Sequence, residues 1–147
     1  MKSLFNSALM TIFLAQSAFA DSSFYLSKTS SNGFVHENWL QYESCELYAD
    51  KVVKTVRFGD LEKVEERTLK MSANFNEALK ARVALEPIET TENFLCDGPS
   101  TEISLNKNRA TTSIYSTGGC GQEKKERKGP LSLALVSMID EYCSKTY

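Results

Sequence analysis

Four cysteines behind an export-type leader constrain this chain more than any other feature of its sequence. Lys2 supplies a short positive region, Ala8 to Ala15 (ALMTIFLA) is apolar, and Ala18-Phe19-Ala20 puts small residues where signal peptidase reads them. That is the layout of a secretory signal peptide over residues 1–20, with cleavage expected between Ala20 and Asp21. The apolar run falls short of the ~20 residues a spanning helix needs. An uncleaved anchor is the rival reading. No cysteine follows the cleavage site to carry a lipid, and no second long apolar run occurs, so no transmembrane segment is expected once the signal is removed. The expected location is secreted or periplasmic.

Cys45, Cys96, Cys120 and Cys143 all lie beyond the leader, and an even number in an exported chain implies two disulfides. A zinc site is the alternative, but the cysteines are far apart, no CxxC pair exists, and His36 is the only histidine. No metal and no cofactor are expected. From Asp21 onward the chain has 16 Lys and Arg against 19 Asp and Glu, a mildly acidic balance that argues against nucleic acid as a partner.

The length after the leader fits a single domain. Asp21 to Asn38 is polar and irregular, with a turn signal at Ser31-Asn32-Gly33, and residues 21–44 read as an N-terminal arm or a short edge strand. Residues 45–147 read as one disulfide-linked α+β domain. Within it Leu47 to Phe58 is rich in Val and Tyr, Gly59-Asp60 breaks it, and Lys63 to Met71 alternates, so the two runs read as a hairpin. The second run is charged enough to leave a helix open. Asn74 and Glu77 have capping-box spacing, Phe75, Leu79 and Val83 form an apolar stripe, and Pro87 ends the helix. Glu86 to Asn93 reads as an acidic loop.

A second hairpin joins Thr101–Leu105 to Ala110–Ser116. With Lys107-Asn108 as the turn, Ile103 faces Thr112, Leu105 faces Ala110 and Thr101 faces Ile114. One face then holds Ile103, Leu105, Ala110, Thr112 and Ile114, and the other is polar, as in a sheet with one buried side. Extending that register brings Cys96 opposite Gly119, beside Cys120. The expected pairing is therefore Cys96–Cys120 with Cys45–Cys143, one of three arrangements open to four cysteines. Pro130 suits a first helical position, and Leu131 to Cys143 carries a wide apolar face. The expected fold is ββ-α-ββ-α: an antiparallel sheet of about four strands, two helices packed on one face, and two disulfides.

Chemistry is sparse. There is no GxSxG elbow and no GxxxxGK[ST] loop. His36 has no partner that can be placed near it, and neighbouring acids such as Glu65-Glu66 and Asp140-Glu141 point apart rather than across a cleft. No catalytic residue is assigned, and an enzyme is not expected. Gly118 to Gly129 reads as a charged loop in which Lys124, Lys125, Arg127 and Lys128 are the candidate binding residues. Replacing all four by serine is expected to leave stability nearly unchanged. The sequence therefore points to a small exported binding protein, an inhibitor of an extracellular or periplasmic enzyme among the options, with another protein or an envelope component as partner. A small envelope hydrolase and a structural accessory protein are the alternatives.

Overall fold

The computed structural model describes residues 23–33, 40–69, 74–92, 98–118 and 122–144. Its elements are β1 (Phe24–Ser31), β2 (Gln41–Leu47), β3 (Lys51–Phe58), β4 (Leu61–Thr68), α1 (Glu77–Ala84), β5 (Ile88–Glu92), β6 (Ser100–Lys107), β7 (Ala110–Thr117), β8 (Glu123–Arg127) and α2 (Pro130–Ser144). The strands form one antiparallel sheet in the order β4-β3-β2-β1-β6-β7-β8-β5. The expectation of about four strands and two disulfides is thus corrected. The sheet has eight strands, and one disulfide, Cys45–Cys143, links the described residues. Cys96, Cys120, His36 and the signal region with its Ala20-Asp21 site lie outside the described residues.

The extra strands come from segments whose polarity hid them. Residues 24–31, expected as a free arm or an edge, form a central strand between β2 and β6. Phe24 and Leu26 alternate inward and are fully buried. The run from Leu47 to Phe58 is not one strand. The chain reverses at 48–50, closed by a Tyr48 N–H to Lys51 carbonyl bond of 2.8 Å, and residues 41–47 supply a further strand. The acidic "loop" after Pro87 and the charged "loop" before Gly129 pair with each other as β5 and β8. In the charged run at 61–68 the strand forms, not the helix.

In the β6–β7 hairpin the turn is Asn108-Arg109, with Asn108 at φ 52°. The register therefore differs by two residues from the expected one, and Leu105 faces Thr112. As far as Ser104–Ser113 a shift of two keeps side chains on their own faces; beyond the bulge the offset is three, and Tyr115 comes opposite Ile103 and packs against the core. Ile103, Leu105 and Ile114 are buried as that face requires, although Ala110 is exposed. A bulge leaves Ile114 without an opposite residue, because Ser104 pairs with Ser113 and Ile103 with Tyr115.

Both helices pack on the same inner face. Phe75 and Val83 around α1, and Leu135 and Ile139 of α2, join Phe24, Leu26, Leu47, Val52, Ile103, Leu105 and Ile114 in one core. The N-cap of α1 is Asn76, whose Oδ1 accepts from the Leu79 N–H at 2.9 Å, two residues later than the expected Asn74. The cap of α2 comes from elsewhere in the chain. Pro130 has no N–H and Gly129 has no side chain. The Leu131 and Ser132 amides instead donate to the two carboxylate oxygens of Glu86, each at 2.8 Å. A Cβ on Gly129 would lie 2.0 Å from the Glu86 Cδ, so the glycine makes room for its own substitute cap.

Glu86 is held below the ordinary carboxylate range. Burial works against this, but hydrogen bonds from Ser132 and Leu131 and the nearby Arg127 charge outweigh it. A lowered folded pKa means stability that is present above the unfolded pKa, 4.5 here, and lost as pH falls through the folded value. Glu86→Gln is therefore expected to cost about 1 kcal/mol at neutral pH, the scale of a lost charged cap. It should also flatten the fall in stability below about pH 4.5 relative to the unsubstituted chain. Urea unfolding at several pH values reads both; a parallel loss at every pH would refute the cap's charge as the cause.

Candidate functional site

The inner face of the sheet changes character along its strands. One cross-strand rung, Leu105, Leu26, Leu47 and Val52, is apolar and buried beneath α2. The next is Lys28, Cys45, Lys54 and Glu65. The helix ends over this second rung: Asp140 is ion-paired to Lys28, and Cys143 is bonded to Cys45. The following rungs, Ser30-Glu43-Val56-Lys63 and then Gln41-Phe58-Leu61, extend beyond the last turn of α2.

Two adjoining cavities lie there. One, of about 350 Å³, is framed by Lys28, Lys54, Asp140 and the disulfide. The other, of about 360 Å³, is framed by Val56, Phe58, Leu61 and Lys63, and the two share Glu43 and Lys54. Phe58 is 42% exposed and Leu61 75% exposed. An apolar floor with charged walls is suited to holding a ligand or a partner side chain.

The walls do not supply an evident catalytic set. Lys63 hydrogen-bonds the Glu65 carboxylate, and with its charge and that of Lys54 holds Glu65 below its usual range. That shift leads away from the proton-donor role a general acid needs. Among the described residues no group of three or more His, Cys, Asp or Glu is placed to hold a metal. Sequence reasoning did not single out this region. Its signal was present in Gln41 to Leu47, where Glu43, Cys45 and Leu47 alternate with Tyr42, Ser44 and Glu46.

The four cationic residues singled out from the sequence are on or beside β8, in two different situations. Lys124 pairs with Glu126 at 3.2 Å and lies over the Tyr115 ring, and Lys125 is 3.9 Å from Glu123. Lys128 contacts Glu126 at 2.8 Å and Glu89 at 3.6 Å. Hydrogen bonding from Lys128 is the main cause of the lowered Glu126 pKa. Arg127 points the other way. Its Nε donates to the Ser113 carbonyl at 2.8 Å, and its Nη1 donates to the carbonyls of Ala84 and Glu86 at 3.0 and 2.8 Å. The guanidinium thus closes the C-terminal end of α1, where carbonyls lack helical partners.

This geometry revises the expectation for serine replacement. Lys124, Lys125 and Lys128 together should cost within about 0.5 kcal/mol, because exposed ion pairs contribute little. Arg127→Ser alone should cost about 1.5–3 kcal/mol, the range for hydrogen bonds from a charged group. Thermal unfolding of the triple and the single variant separates the two, and equal losses would contradict the assignment.

One disulfide among the described residues of a small α+β domain, with no described helix long and apolar enough to cross a membrane, is compatible with an extracellular location. Comparison of the chain with protein-family models, with curated proteins and with solved structures found no match.

Proposed function

We propose that this protein is exported by its N-terminal signal and acts by binding another protein or an envelope component through the end of the inner face that no described residue covers. The supporting observation is the floor formed by Val56, Phe58 and Leu61 beyond the last turn of α2. A leucine three-quarters exposed beside a half-exposed phenylalanine is apolar area whose burial would favour association at roughly 25 cal/mol per Å². The charged rim of Glu43, Lys54, Lys63 and Glu65 supplies orientation. Inhibition of an extracellular or periplasmic enzyme is one form such binding takes, with the apolar end as the contact.

A photo-crosslinking side chain at Phe58, compared with one at Lys125 on β8, tests this in the exported protein within its native compartment. The expected result is an adduct from position 58 that disappears when Leu61→Lys is added. Adducts from position 125 alone would move the binding surface to the cationic strand. Adducts from neither position would remove the proposal. Mass spectrometry of the same material should give an N-terminus at Asp21; an intact N-terminus would overturn the export reading.

A further inference from the structure

The β4 edge carries a pattern that matches itself. Among the described residues β4 is the eight-residue terminal strand of the sheet, next to β3 alone. Its two-residue turn, Gly59-Asp60, makes Phe58–Leu61 the first hydrogen-bonded pair with β3, and pairs of that kind alternate along an antiparallel ladder. The N–H and C=O groups of Glu62, Val64 and Glu66 consequently point away from β3, along the open edge. Val64 is 57% exposed among them. Charge on an edge strand usually guards against pairing with another chain. Here the charges are arranged so that one antiparallel register of the strand with itself satisfies them.

A two-fold axis normal to the sheet keeps inner face with inner face, so only residues of equal parity can oppose each other. With Lys63 or Glu65 on the axis, each would face its own copy. With Val64 on the axis, Lys63 of one copy opposes Glu65 of the other, twice, on the inner face, so that the Lys63–Glu65 pair already present within each strand joins its copy in an alternating cluster of four charges. Leu61 then lies against the stem of Arg67. On the outer face Glu62 opposes Glu66, but each already has its own cation, Arg57 at 2.8 Å and Lys51 at 3.1 Å. The other edge, β5, has five residues, all exposed.

We infer that β4 is a self-association edge, at which a second copy of this chain adds antiparallel with Val64 on the two-fold axis, joining two eight-stranded sheets. The inference shares Leu61, Lys63 and Glu65 with the binding surface proposed above, but it rests on the backbone edge of β4, and its test reads self-association whatever else that surface binds. It sets two such floors on the same side of one extended sheet. Ladder bonds and a few rim charges make a small interface, so the dimer is weak and concentration-dependent.

Sedimentation velocity over a broad concentration series is the test. The unsubstituted chain should pass from monomer to dimer as concentration rises. Lys63→Glu or Glu65→Lys each turns two attractive pairs into two repulsive ones and should weaken the dimer at least about tenfold. The double reversal, K63E with E65K, should restore it. Circular dichroism of each variant establishes that all are folded. A chain monomeric at every concentration, a dimer indifferent to the single reversals, or a double variant as weak as the singles would each overturn the inference.

Discussion

Replacing both Cys45 and Cys143 by alanine is expected to lower stability by about 4–5 kcal/mol, the entropic contribution of a cross-link closing a loop of this size. The two cysteines are 98 residues apart in sequence, and the loop includes everything from the end of β2 to the last turn of α2. A loss of that size approaches the entire net stability of a small domain, so the variant should be largely unfolded near body temperature. Substituting both cysteines avoids leaving a lone thiol and isolates this bridge from any other effect of a reductant. Urea unfolding at 25 °C gives the number. A change under about 2 kcal/mol would show that packing of Leu135 and Ile139 holds α2 without the link.

Gly118→Ala should be nearly as damaging, at about 3 kcal/mol or more, for two separate reasons. Gly118 has φ +130°, a conformation residues with a Cβ rarely adopt, which costs about 1–3 kcal/mol by itself. An added Cβ would also lie 2.3 Å from the Cβ of Ser100 and 2.7 Å from its Cα. Ser100 is not free to retreat: its hydroxyl is 2.7 Å from that of Ser31, and its backbone pairs across β1. Overpacking against backbone adds a further 1–3 kcal/mol or so. Unfolding midpoints of Gly118→Ala beside the parent protein check this, and a shift below about 1 kcal/mol would mean that the end of β7 yields.

Those two positions illustrate unequal legibility. A cysteine announces itself, and the apolar stripes of both helices were visible because each buries one side only. Leu135 and Ile139 lie in the core where the 3.6-residue period puts them. The faces of β6 and β7 near their turn were readable for the same reason, since moving the turn by one residue shifts the register by two and leaves those faces unchanged; the bulge beyond Ser104 was not readable. The clash that makes Gly118 indispensable is invisible in sequence, because it depends on where Ser100 ends up.

The missed strands share one property. β5 (IETTE) and β8 (EKKER) present polar residues on both sides, so no alternation separates inside from outside. Their cross-strand neighbours supply the missing logic: Lys125 lies opposite Thr90, and the opposed carboxylates of Glu126 and Glu89 are both held by Lys128. β1 was obscured differently: its inward series runs Phe24, Leu26, Lys28, and the lysine makes sense only beside Asp140 of a helix 112 residues away. The reversal at 48–50 has neither glycine nor proline, the usual punctuation of a turn. The candidate site was hidden for a related reason. It exists because α2 stops where it does, and where a roof ends cannot be read from the floor.

The central place of β1 also bears on when this fold can assemble. β2, β3 and β4 are joined by short reversals, and β6 and β7 by another, so each group can zip up locally and early. Yet Leu26 must find Leu105 before the halves become one sheet. Until residue 107 is available, the side of β1 that β6 will occupy has no partner. The chain must therefore spend its synthesis with that seam unclosed, and anything that shields or delays β1 during this interval governs how much protein reaches the native state.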